Sequence, residues 1–140
     1  CTREKAKKKF FAWFYNPNKK NLELAKFYKR EAVLKKYYSN GIVHTPFGRK
    51  IEADDFHSFN YLLQSTSSDN CIQQAIKISK FLNGRKSFVH SVVHDSITID
   101  FHKHDRDLIT QVRQIFEDTR LGQFKSSMHI GKNYKDMEAV

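Results

Sequence analysis

Two cations and two aromatic rings recur at every fourth position near the start of the chain. They are Arg3, Lys7, Phe11 and Tyr15. This spacing places all four along one face of a helix. Arg offers a bidentate fork for phosphate oxygens, Lys a point charge, and the rings a surface for stacking a base. The stripe predicts a nucleoside triphosphate site, although a basic amphipathic helix that binds no ligand has the same pattern.

A second group lies between two segments rich in Val, Ile and Thr, at Val93-His94-Asp95-Ser96. A tight turn between two strands would expose the carboxylate of Asp95, and carboxylate oxygens are the ligands that Mg²⁺ prefers. A hydrolytic triad is not expected, because neighbouring strand residues point to opposite faces. The alternative is a turn aspartate that binds no metal.

A third group comprises two amides, Asn60 and Gln64, again four residues apart. On one helix face, their donors and acceptors could read base edges or sugar oxygens. The alternative is local capping ahead of a helix that begins at residue 69.

The charge is concentrated on the first part of the chain. Of 140 residues, 25 are basic and 15 acidic, a net charge of +10. Residues 1–40 hold 12 basic and 3 acidic residues, so nearly all of the excess lies there. Such a block favours a polyanionic partner such as nucleic acid, or it serves only as a solvated face.

The pattern of the remaining residues predicts an α+β fold with an antiparallel sheet. Helices are expected over 3–15, 22–38, 69–82 and 105–119, and strands over 42–45, 49–52, 87–93, 96–101 and 124–130. Gly41 is the predicted C-cap of the second helix, and Asp69 and Asp105 are the predicted N-caps of the last two. The apolar face of helix 69–82 is predicted from Ile72, Ala75, Ile76, Ser79 and Leu82.

Four segments, taken in order, resemble those of family A DNA polymerases, the DNA polymerase I type. The stripe from Arg3 to Tyr15 is similar to motif B. Thr45-Pro46-Phe47-Gly48-Arg49 is similar to the family's T-x-x-G-R, and Asn60-x3-Gln64-Ser65-Thr66-x2-Asp69 to its N-x3-Q-G-T-x2-D. Val93-His94-Asp95-Ser96 is similar to motif C. The resemblance covers residues 3–137 and implies that residues 1–40 belong to the fingers and residues 41–140 to the palm.

The resemblance also implies roles for individual residues. Arg3 and Lys7 would hold the phosphates of a dNTP, with Lys7 also protonating the leaving pyrophosphate, while Phe11 would lie beside the sugar and Tyr15 near the templating base. Primer–template DNA would be contacted by Asn60, Gln64, Arg49, Thr66 and His94. Asp95 would bind Mg²⁺, and the reaction would be attack of a primer 3′-hydroxyl on the α-phosphate, with two metal ions flanking the reacting oxygens.

The chain departs from the family pattern in one missing segment and at individual residues. The second metal-binding aspartate of the family belongs to motif A, upstream of motif B, and no such segment is present here. Ser96 stands where the family has Glu, and Ser65 where it has Gly. One carboxylate cannot hold two Mg²⁺ ions about 3.5–4 Å apart. We therefore expect this chain to be inactive alone and to need an upstream segment or partner chain. The alternative is a non-catalytic nucleic-acid-binding module, or relic.

The first residue of the chain, Cys1, indicates how the chain could have been produced. The chain starts at Cys1 rather than Met, which is expected of a fragment, a split gene product or the segment that follows an intein, since a cysteine thiol performs that chemistry. We expect the chain to belong to a phage-type enzyme that is located in the host cytoplasm. No apolar run approaches the roughly 18 residues of a membrane span, so no membrane partner is expected.

Overall fold

The computed structural model describes residues 2–14 and 22–140, and the described chain has the predicted α+β composition. It divides into two compact units, Cys1–Ser67 and Ser68–Val140. The charge follows this division, because the first unit holds 14 basic against 6 acidic residues and the second 11 against 9.

The first unit combines helices with one small sheet. Its elements are α1 (Arg3–Phe14), α2 (Leu22–Tyr28), α3 (Arg30–Tyr37), β1 (Tyr38–Ser39), β2 (Ile42–His44) and β3 (Lys50–Glu52), followed by α4 (Ser58–Phe81), which continues into the second unit. The three strands are antiparallel in the order β1-β2-β3, with Val43 opposite both Tyr38 and Ile51.

The core of the first unit is aromatic. Trp13, Phe14 and Phe59 are buried together, because the lysines of α1 occupy the exposed positions and leave a narrow apolar stripe. The rings of Phe14 and Phe59 lie 5.2 Å apart, centroid to centroid. The guanidinium of Arg30 lies 5.2 Å from the centroid of Phe59, and its burial lowers the pKa of Arg30.

The second predicted helix, 22–38, is wrong as a single element. Lys29 adopts a left-handed conformation (φ 46°) that separates α2 from α3. The predicted C-cap role of Gly41 is also wrong. Asn40 and Gly41, with φ of 52° and 75°, form the two-residue loop of a hairpin that pairs Ser39 with Ile42. A two-residue hairpin loop favours positive φ, which Asn and Gly adopt most readily.

The second unit packs helices against a long hairpin. Its elements are the end of α4, β4 (Phe88–Val93), β5 (Ser96–Asp100), a 3-10 helix (Lys103–Leu108), α5 (Ile109–Glu117), β6 (Asp118–Thr119), β7 (Gly122–Gln123), β8 (His129–Ile130), a 3-10 turn (Tyr134–Asp136) and β9 (Glu138–Ala139). Strands pair antiparallel as β4–β5, β6–β7 and β8–β9. The core forms around Ile78, Leu82, Leu108 and Val112.

Helix α4 begins eleven residues before its predicted start. The carboxylate of Asp54 accepts the backbone N–H of His57 at 2.7 Å in the turn that leads into Ser58. Asp69, the predicted N-cap, is instead buried in the middle of the helix. Asp54 also bonds the His57 ring at 2.8 Å, and these two interactions hold the pKa of the Asp54 carboxyl below its usual value.

The predicted apolar face of this helix is also displaced. Ile72, Ile76 and Ser79 are exposed. The buried positions are Cys71, Gln74, Ala75, Ile78 and Leu82. The prediction is confirmed at Ala75 and Leu82 only, and it did not include Gln74, whose amide side chain is only 1% exposed.

Asp105 does not cap the last helix, because its side chain accepts hydrogen bonds from a segment about 18 residues earlier in the chain. Its Oδ2 accepts hydrogen bonds from the backbone N–H of Lys86 (3.1 Å) and from the N–H and hydroxyl of Ser87 (2.9 and 2.8 Å). The hydroxyl of Ser87 is the main cause that lowers the pKa of this carboxyl. The α-helix proper begins at Ile109, after the 3-10 turn.

The predicted strand over 124–130 is confirmed only at His129–Ile130, which pairs with β9. The segment before it is held by Glu117, whose Oε1 accepts the N–H and hydroxyl of Ser126 at 2.9 and 2.8 Å and the Nε of Arg113 at 3.0 Å. These donors lower the pKa of Glu117 to about 2. Gly131 is required by close packing, since a Cβ there would lie 2.6 Å from the carbonyl oxygen of Asp136.

Candidate functional site

Helix α1 places three of the four predicted nucleotide-binding side chains along its solvent side. Arg3 and Lys7 are exposed, and Phe11 is 37% exposed. The Lys7 Nζ lies 5.9 Å from the centroid of the Phe11 ring, within the range of a cation–π contact. Tyr15 lies outside the described residues. A cation and a ring are therefore adjacent, with a second cation one turn nearer the helix start.

The T-x-x-G-R segment forms a closed turn between β2 and β3. The hydroxyl oxygen of Thr45 accepts the backbone N–H of Phe47 at 3.3 Å and of Arg49 at 3.1 Å. The backbone N–H of Gly48 donates to the carbonyl of Thr45 at 2.9 Å, and its φ of 88° suits a residue without a Cβ. Buried Thr45 thus fixes the turn, and Arg49 is presented on an exposed position.

Asn60 and Gln64 are brought together on the first turns of α4. The Gln64 Nε2 donates to Asn60 Oδ1 at 3.1 Å, which leaves the Gln64 carbonyl and the Asn60 amino group for a ligand. Thr66 is less accessible: its hydroxyl oxygen is buried and has no hydrogen-bond partner among the described residues. Ser65 is also buried, and its hydroxyl donates back to the carbonyl of Tyr61.

The β4–β5 hairpin places His94, Asp95 and Ser96 at its exposed tip, as the sequence predicted. Val93 pairs with Ser96, and His94 takes a left-handed conformation (φ 54°) in the two-residue loop. The Ser96 hydroxyl donates to the carbonyl of Val93 at 2.8 Å, which closes the loop. Within residues 2–14 and 22–140, no group donates a hydrogen bond to the Asp95 carboxylate.

The negative charge of Asp95 affects the pKa of Cys71, a buried residue of α4. Burial is the larger cause that raises the pKa of the Cys71 thiol, and the negative charge of Asp95 adds to it. The thiol is therefore held in its neutral form, which is a poor nucleophile.

The donor set for a metal ion is incomplete in the described chain. A hard cation takes carboxylate oxygens, and the exposed Asp95 carboxylate fits that chemistry. Among residues 2–14 and 22–140, however, no three His, Cys, Asp or Glu side chains are grouped so that they could hold a metal ion. Asp95 would therefore share an ion with groups from outside this chain or with a bound phosphate.

Sequence reasoning missed two side chains that organise these units. Gln74 was not among the predicted buried positions, yet it is only 1% exposed. Phe27 lies within the predicted helix 22–38, and its ring is 79% exposed. Neither position carries a local signal, because the placement of each depends on segments distant in the sequence.

No protein-family model, curated protein or solved structure matches this chain. No helix in the described part of the chain is long and apolar enough to cross a membrane.

Proposed function

We propose that this chain is the C-terminal portion of a template-directed DNA polymerase of the DNA polymerase I type. It would comprise part of the fingers and the palm, and would act with an upstream segment or partner chain that carries the motif A aspartate. The observation that carries the proposal is the order of four motif-like segments along the chain, together with the exposed carboxylate of Asp95 on a tight hairpin loop.

The exposed face of α1 would receive the dNTP. Arg3 and Lys7 would neutralise the triphosphate, because a guanidinium fork and an ammonium group are the side chains best suited to phosphate oxygens. Phe11 would lie beside the sugar, and Lys7 would donate a proton to the departing pyrophosphate. The contact between Lys7 and the Phe11 ring supports this division of roles, because it places the cation next to the aromatic surface.

The hydrogen-bonded amides of Asn60 and Gln64 would contact the minor groove of the primer–template. A minor groove displays acceptors common to all base pairs, so donors placed there bind without strong sequence preference. Arg49, presented by the Thr45 turn, would contact the DNA phosphates. This combination suits an enzyme that must bind any template sequence.

Asp95 would hold Mg²⁺ together with the motif A carboxylate, with His94 beside the primer terminus. Two bound ions supply charge neutralisation at the attacking and leaving oxygens of an in-line phosphoryl transfer. Ser96 is already bonded to the carbonyl of Val93, which supports a role in closing the loop rather than in binding metal.

A second function is favoured by one observation: the first unit holds 14 basic against 6 acidic residues, a charge that suits nucleic acid without any bound metal. The chain would then be a non-catalytic nucleic-acid-binding module. Both functions require DNA binding, and they differ only at Asp95.

The test is primer extension by the chain combined with its upstream segment, with Mg²⁺ and all four dNTPs. Asp95→Asn should abolish extension and leave binding of a fluorescent primer–template unchanged. Asp100→Asn is the matched control, because Asp100 is an exposed aspartate at the other end of the same hairpin. The chain alone should give no extension. Extension that survives Asp95→Asn would exclude the metal role of Asp95. No extension by the combined chains, with primer–template binding intact, would leave the binding module.

A further inference from the structure

The side chain of Phe27 is the most exposed of the large apolar residues that the structure describes, at 79%. It lies near the end of α2, in the strongly basic first unit. A phenylalanine left in water forgoes the stabilisation that burial gives to a large apolar side chain. Single exposed apolar side chains are common on protein surfaces. The residues that contact the Phe27 ring and the charge of the segment around it distinguish this one.

The ring is supported by other aromatic side chains. The Phe27 and Tyr28 centroids lie 4.9 Å apart with an interplanar angle of 72°, an edge-to-face contact. Tyr28 in turn contacts Phe10 at 5.1 Å and Trp13 at 5.9 Å. The exposed ring is thus the outer member of an aromatic chain that leads to the buried core. Such support limits the motion of the ring and reduces the entropy lost when a ligand stacks on it.

The chain around Phe27 is basic. Lys26 precedes Phe27 in the sequence, Lys29 lies two residues after it, and both are exposed. Residues 22–36 contain 5 basic and 2 acidic side chains. An exposed ring in a basic segment complements a ligand that has a flat apolar surface and negative charges beside it.

We propose that Phe27, with Lys26 and Lys29, is a stacking site for an unpaired base of single-stranded nucleic acid. The base would lie on the ring and the adjacent phosphates would contact the two lysines. Every base has a π-face, so such a site tolerates any sequence. A duplex does not satisfy it, because paired bases are stacked on one another. The inference rests on the proposed function only in taking nucleic acid as the ligand, and it needs neither Asp95 nor extension activity.

The experiment measures binding of two fluorescent oligonucleotides to the 140-residue chain by anisotropy. One is a thymidine 12-mer, and the other is the same backbone with abasic sites throughout. Phe27→Ala should weaken binding of the thymidine oligonucleotide about fivefold or more and leave the abasic one unchanged. Phe27→Trp should retain binding, with its tryptophan fluorescence quenched by the bases.

A matched control is present in the same unit. Phe56 is 50% exposed and lies beside Asp54 and Asp55, so its surroundings are acidic where those of Phe27 are basic. Phe56→Ala should leave the affinity for both oligonucleotides unchanged, and Phe56→Trp should show no quenching.

Each other result overturns the proposal. Equal losses for both oligonucleotides in Phe27→Ala would mean that the variant disturbs a phosphate site and not a stacking site. An unchanged affinity for thymidine would exclude Phe27 from binding. A change in the sedimentation of the free protein on Phe27→Ala, without loss of thymidine binding, would assign the ring to contact between copies of the chain. Loss of extension in Asp95→Asn has no bearing on these readouts, so the failure of either proposal is distinguishable.

Discussion

Replacing Gln74 by Glu should destabilise the second unit in a pH-dependent way. The Gln74 Nε2 donates to the backbone carbonyls of Ile115, Phe116 (3.4 Å) and Asp118 (2.9 Å). The last carbonyls of a helix lack partners within the helix, and here a distant amide supplies them. A glutamate of the same size would place a carboxylate against these three oxygens, where the ionised form is repelled and poorly solvated.

The magnitude follows from the burial of this position, which is 1% exposed. Burial and the facing carbonyls should raise the pKa of the introduced carboxyl above its unfolded value of roughly 4.3. The variant is then least impaired below that pH, where both states are protonated. Its stability falls by up to about 1.4 kcal/mol per pH unit as the pH rises above 4.3, until the folded pKa is reached. A folded pKa near 7 would give an added loss of about 3–4 kcal/mol at neutral pH.

The assay is urea unfolding, followed by far-ultraviolet circular dichroism at pH 4.5 and pH 7. Gln73→Glu is the matched control, because Gln73 is the adjacent residue, is exposed, and acquires the same charge. Its stability relative to the native chain should change little between the two pH values. If Gln74→Glu does not fold at pH 7, its unfolding at pH 4.5 and that of Gln74→Met at both pH values supply the comparison. Equal pH dependence of the two glutamate variants would refute the role assigned to the Gln74 amide.

Three further outcomes are expected from single sites. Thr45→Val should lower the free energy of unfolding by about 1–2 kcal/mol in urea titrations, because two backbone N–H groups lose their acceptor, whereas Thr45→Ser should retain most of the stability. Gly131→Ala should cost about 1–3 kcal/mol, since its Cβ would lie 2.6 Å from the Asp136 carbonyl oxygen; an unchanged melting temperature would contradict the close approach. The carboxyl of Glu117, with a pKa of about 2 against an ordinary value of 4.5, should contribute stability that is complete above pH 4.5 and is lost as the pH falls toward 2. Glu117→Gln should remove this part of the acid sensitivity, and identical acid titrations of the two proteins would count against it.

In the proposed polymerase, the two units would contribute different surfaces. In the first unit, the strongly basic α1 and the Asn60–Gln64 pair are surfaces suited to phosphates and base edges. In the second, Asp95 is a lone carboxylate on a hairpin tip. If the chain binds DNA as proposed, the affinity should depend strongly on salt, because phosphate contacts by Lys and Arg release condensed counterions.

Local sequence patterns predicted two of the hairpins, β2–β3 and β4–β5, and missed β1–β2 and β6–β7. Segments rich in Val, Ile and Thr on either side of His94 and Asp95 gave the β4–β5 pair, and the Thr45-Pro46-Phe47-Gly48-Arg49 turn gave the β2–β3 pair. A hairpin is specified by residues that are close in the chain, so its signal survives without tertiary information. The exposed position of Asp95 at the tip of β4–β5 followed for the same reason.

The start of α4 was not available from local patterns, although its end at Phe81 lies within one residue of the prediction. Ser65, Thr66, Ser67 and Ser68 favour caps and turns, so the run was interpreted as the approach to a helix. In the structure, the Ser65 hydroxyl bonds back to the carbonyl of Tyr61 within a continuous helix. Burial of Phe59 and Leu62 on the same turns stabilises that segment, and packing of this kind overrides weak intrinsic propensity.

The sequence by itself determined the α+β composition, the concentration of positive charge near the start, and the local geometry of the hairpin that carries Asp95. Only the tertiary structure decided the partners of Gln74 and Asp105, whose side chains bond backbone groups 41 and 18 residues away in the chain. The physical reason is that a buried polar side chain is stable only where it meets a backbone group in need of a partner. That meeting depends on how distant segments pack, and no local pattern records it.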